Sequence, residues 1–139
     1  MIQRIQTIWL ILAAVAAFLT IKLSFFSGNI TGAGQTKTFT YLTAASNMVI
    51  LFFTAAVGVA TLICIFLYRN RKLQMRITLA AMLVSLLNIV LYYNQTRHFI
   101  EGNYDLTALV ALAIPIFLIL AIKGIYNDQK LVKSLDRLR

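Results

Sequence analysis

The sequence predicts an all-α, polytopic membrane protein: four transmembrane helices in a compact bundle, with both termini cytoplasmic. Three observations carry that reading. Hydrophobic residues make up 60% of the chain, more than a soluble domain of this size carries. They gather into four long apolar runs. The basic residues then fall almost entirely on one side of the alternating topology those runs impose. Outer-membrane barrels need short alternating segments, and these runs lack that pattern. Disorder needs low hydrophobicity and is excluded for most of the chain.

The first predicted span covers about residues 8–26 and is broken only by Lys22, which can snorkel outward. Its apolar run of about 19 residues exceeds a usual signal-peptide core, so it is expected to stay uncleaved. An outer loop, residues 27–46, follows. Gly28, Gly32 and Gly34 punctuate it, and "KTFTYLT" alternates as a short extended segment or hairpin would. The glycines lack the lysine-ended pattern of a nucleotide loop. The second span covers about residues 47–68, a cytoplasmic loop 69–76, and the third span 77–93. A second outer loop, 94–105, precedes the fourth span at about 106–122. Tyr92, Tyr93, Tyr104 and Tyr126 are expected at the membrane interface. The cytoplasmic tail, 123–139, reads as a separate, short, basic amphipathic helix with a start signal at Ser134. All of this forms one membrane domain.

Topology rests on Arg4, on Arg69, Arg71, Lys72 and Arg76, and on Lys123, Lys130, Lys133, Arg137 and Arg139. Only Lys37 and Arg97 fall in the opposite loops. That imbalance predicts a cytoplasmic amino and carboxyl terminus. It also explains the net charge of +9 as attraction to anionic headgroups, so no nucleic-acid partner is expected.

Within the runs, Asn88 is the strongest polar candidate, and with Ser85 it is expected to bond across to a neighbouring helix. Pro115 should bend the fourth helix. Cys64 is the only cysteine and reads as a small buried hydrophobe. In the second outer loop His98, Glu101 and Asp105 would share a helical face, and two carboxylates with a histidine suit a divalent ion. Gly102 and Asn103 argue for a turn there instead, and Arg97 with Glu101 for a surface pair. No catalytic group, cofactor or metal is expected. Ile2, Ile5 and Trp9 at one end, and Leu131, Leu135 and Leu138 at the other, recur at helical spacing and are cytoplasmic docking candidates.

The two ends, "MIQRIQTIWL" and "KLVKSLDRLR", resemble those of small four-span inner-membrane proteins of Bacteroidota, the domain of unknown function 4293 family. The resemblance covers the whole chain. Family members typically carry Tyr where this chain has Trp9. It implies a bacterial inner-membrane protein and assigns no catalytic residue. The expected function is a non-catalytic accessory or structural subunit of an inner-membrane complex, with other subunits as partners, in translocation or envelope biogenesis. A small oligomeric transporter or channel is the first alternative, and a membrane enzyme using the outer-loop histidine and carboxylates the second.

Overall fold

A chain crossing lipid must satisfy its backbone polar groups internally, which favours helices. The computed structural model describes residues 3–31 and 36–136, with the side chains of residues 5–31 and 36–134. Four helices dominate it: α1 (Gln3–Leu19), α2 (Met48–Phe66), α3 (Arg71–Thr96) and α4 (Ala108–Asp136). Three strands, β1 (Phe26–Thr31), β2 (Lys37–Leu42) and β3 (Glu101–Tyr104), form an antiparallel sheet in the order β2-β1-β3. Three helical segments, Met48–Arg69, Arg71–Thr96 and Ala108–Ser134, are long and apolar enough to cross a membrane. Residues Ile5–Leu19 form a shorter apolar helix beside them. The protein is a multi-pass membrane bundle.

Each helix packs against two neighbours, closing a ring in the order α1, α2, α3, α4. The buried positions explain how. In α1 they include Gln6, Leu10, Ala13 and Ala17, and Thr20 just beyond it continues the set. In α2 they are Ile50, Thr54, Val57, Thr61 and Cys64, with Gly58 beside them. In α3 they are Gln74, Thr78, Ala81, Ser85, Asn88 and Tyr92. Alternating steps of three and four place each set on one seam, as in left-handed bundles. Small residues bring the axes close. A Cβ on Gly58 would stand 3.0 Å from the Phe18 ring, and one on Gly124 would stand 3.0 Å from Gln6 Cβ.

The sheet caps one end of the ring. The Ala44 N–H donates to the Thr20 carbonyl (3.3 Å), and the Asp105 N–H to the Phe25 carbonyl (3.2 Å). The Thr107 hydroxyl donates to the Ser24 carbonyl. These bonds gather the end of α1 and the starts of α2 and α4 beneath the sheet. Phe25, Phe26, Leu42, Ile50 and Tyr92 form a core there. Asn47 caps α2 by accepting from the Val49 N–H, and its amide donates to Gln95 on α3. The α2–α3 turn, the start of α1 and the far end of α4 lie together at the opposite end.

The structure corrects several expectations about the elements. The first helix ends at Leu19, and residues through Phe26 leave it, because Phe25 and Phe26 pair into the sheet. The segment 69–76 is hardly a loop: a one-turn 3-10 helix (Leu67–Arg69) and Asn70 make the connection, and α3 starts at Arg71. The two outer segments are not separate loops, since β3 pairs with β1. Tyr92 is 2% exposed and stacks on Phe25 at 4.6 Å, so it belongs to the core and not the interface. The tail is no separate helix, because α4 runs unbroken to Asp136 and the Ser134 hydroxyl donates to the Leu131 carbonyl within it. Pro115 lies buried inside α4, where it removes the N–H that the Ala111 carbonyl would otherwise accept.

Candidate functional site

The seams carry polar side chains in two layers. The first lies nearer the sheet. Asn88 Nδ2 donates to Thr54 Oγ1 at 2.8 Å, joining α3 to α2. Thr54 Oγ1 in turn donates to the Ile50 carbonyl at 2.7 Å, so one hydroxyl serves both roles. Ser85 does not bond across the bundle. Its hydroxyl donates to the Met82 carbonyl of its own helix at 2.7 Å, satisfying itself locally. Thr20, Thr54, Ser85, Asn88 and Tyr92 line a cavity of about 10 Å³. Asn88 Oδ1 is buried there without a protein partner. The space suits about one water molecule, which would donate to it.

The second layer lies toward the α2–α3 turn. Cys64 is fully buried. Its carbonyl lies in the last turn of α2. Gln74 Nε2 donates to it at 2.9 Å, and Thr78 Oγ1 approaches Cys64 Sγ at 3.4 Å. Gln6 and Asp128 are also buried, and Arg71 Nη1 donates to the Asp128 carbonyl at 3.0 Å. The sequence reading missed Gln6, Gln74 and Asp128. Their spacing could have revealed them: Gln74 and Thr78 extend toward the turn the same three-four stripe that holds Ser85 and Asn88.

The sheet separates the residues considered for a divalent ion. His98 sits in the turn after α3, Glu101 opens β3 and Asp105 follows it. Because β3 is extended, Glu101 and Asp105 lie about 13 Å apart along the chain rather than one helical turn. Glu101 pairs with Lys37 at 3.2 Å, not with Arg97, whose guanidinium lies 5.6 Å from the Tyr93 ring centroid. Asp105 Oδ1 accepts from Ser27 at 2.7 Å. The described residues contain no group of three or more His, Cys, Asp or Glu placed to hold a metal.

A family model described as "Domain of unknown function (DUF4293)" matches residues 2–138. The chain belongs to the DUF4293 family. No curated protein and no solved structure matches it.

At the end of this DUF4293 bundle opposite the sheet, the docking candidates divide. Ile5 is exposed, whereas Trp9 is half-buried and stacks with Phe117 at 6.0 Å. Leu131 and its neighbour Val132 are exposed on α4. Ile2, Leu138 and the Leu135 side chain lie outside the described residues. Of the basic residues, Arg69, Lys72, Arg76, Lys123, Lys130 and Lys133 are exposed and Arg71 is half-buried. The Arg4 side chain, Arg137 and Arg139 lie outside the described residues. Gln6 faces Gly124, and α4 runs a further 12 residues, about 18 Å, to Asp136. From Gln6 to Gln3, α1 spans only about 4.5 Å. The end of α4 therefore overhangs the described start of α1 by about 13 Å.

Proposed function

We propose that this DUF4293 protein is a non-catalytic accessory or structural subunit of a bacterial inner-membrane complex, with α1 as a fourth span and both ends cytoplasmic. The overhang of α4 carries this reading. It is helical and basic, carries exposed Leu131 and Val132, and extends past the described start of α1. Exposed Leu131 and Val132 gain by leaving water, so a protein surface beside the membrane is a natural support. The bundle interior agrees with a structural role. Its strongest polar groups, Asn88 and Gln74, bond from helix to helix, and its enclosed space near Asn88 has room for about one water. The orientation follows from charge: the end holding Arg69, Arg71, Lys72, Arg76 and Lys133 faces the cytoplasm by the positive-inside rule.

The test is purification of the tagged chain at native expression in a mild detergent, followed by mass spectrometry. A partner should co-purify in near-stoichiometric amount. Replacing exposed Leu131 by Glu should cut its recovery roughly tenfold, since a charge enters an apolar contact. Recovery of the chain alone, or a partner indifferent to the change, contradicts the proposal.

A further inference from the structure

A groove lies between the α2–α3 turn and the overhanging part of α4. Arg69, Asn70, Arg71 and Lys72 form one wall, and Gln129, Val132 and Lys133 the other. It encloses about 550 Å³ and is open on one side. Four of its seven lining side chains are cationic, and no carboxylate lines it among the described residues. We propose that this groove binds the phosphate of an anionic lipid headgroup.

Several independent features fit that ligand. Arg71 is held in place because Nη1 donates to the Asp128 carbonyl at 3.0 Å. Its guanidinium keeps further N–H donors in a fixed fork, the geometry that suits a phosphate. Gln129 adds a polar side chain to the opposite wall. The groove also sits at the start of α3. The Asn70 side chain makes no capping bond there, so the first N–H groups and the positive end of the helix favour an anion.

A lipid, rather than a soluble phosphate, follows from the surroundings. The groove lies where the apolar part of α2 ends. Phe66, Tyr68 and Leu73 are exposed on the flanking residues, and Tyr126 is exposed on α4 just before the groove. Exposed tyrosines mark the interface, and Phe66 and Leu73 offer apolar surface for acyl chains. Val132 supplies an apolar wall for the glycerol. A soluble anion would use none of these.

The test titrates the purified full chain in detergent micelles with dioleoylphosphatidylglycerol and reads bound lipid by native mass spectrometry. Phosphatidylcholine, which carries the phosphate without net charge, is the comparison. Phosphatidylglycerol should bind more tightly. Each headgroup-facing charge is worth roughly fivefold, so Arg69→Gln with Lys72→Gln should weaken binding at least about tenfold. Lys123→Gln with Lys130→Gln removes the same charge from exposed α4 positions outside the groove and should change binding less than about twofold. All four side chains are exposed, and an unchanged melting temperature verifies the fold. Equal losses in the two double variants would mean diffuse attraction and overturn the site. Equal affinity for the two lipids would do the same. Displacement of the lipid by millimolar inorganic phosphate would assign the groove to a soluble anion and overturn the lipid assignment.

Discussion

Asn88 shows how one side chain serves this bundle. Its amide nitrogen ties α3 to Thr54 on α2, while its oxygen stays buried without a protein partner. In membrane proteins such a bond contributes about 0.6 kcal/mol on average. Removing it by Asn88→Ala should destabilise the bundle by about 1–2 kcal/mol, bond and cavity together. Asn88→Leu should cost less, because it fills the volume that alanine leaves empty. Reversible unfolding in mixed detergent micelles reads both. A leucine variant less stable than the alanine variant would show that the site beside Thr54 cannot take the larger apolar side chain.

At the scale of elements, the sheet is the part where neighbouring residues differ most in consequence. Gly28 pairs with Gly102 across β1 and β3. A Cβ on Gly102 would stand 2.6 Å from the Ser27 carbonyl oxygen and 2.5 Å from the Phe26 ring. The backbones can approach this closely only without side chains there. Gly102→Ala should therefore cost about 1–3 kcal/mol through strain. Glu101→Ala, one residue away, removes only an exposed ion pair with Lys37 and should cost under about 1 kcal/mol. Thermal unfolding of the two variants checks the contrast, and equal losses would count against the close-approach reading. Gly28 and Gly102 were legible as turn signals but not as partners, because pairing across 74 residues leaves no local trace. The β1–β2 hairpin was legible, since alternation in "KTFTYLT" is local. The polar members of the seams were half legible. Asn88 stands out in an apolar run, whereas Gln74 hides in "RKLQMR", which reads as a charged loop until α3 is seen to begin at Arg71.

The whole molecule is polarised. The helix ends joined by the sheet carry little basic charge, through Lys22, Lys37 and Arg97. The opposite end gathers the α2–α3 turn, the start of α1 and the overhang of α4. The apolar runs and the asymmetry of Lys and Arg made this arrangement readable from sequence, because both are compositional. The overhang was not readable, because a basic amphipathic segment looks the same whether it lies on lipid or continues a long helix. The proposed docking end and the proposed phosphate groove both require that the basic end face the cytoplasm and the sheet face outward. Single cysteines in a Cys64→Ala background test this most directly, at exposed Thr38 in the sheet and exposed Ser134 on α4. A membrane-impermeant maleimide applied to intact spheroplasts should modify Thr38→Cys and spare Ser134→Cys, with both modified after permeabilisation. Labelling of Ser134→Cys in intact spheroplasts, or protection of Thr38→Cys, would contradict the orientation.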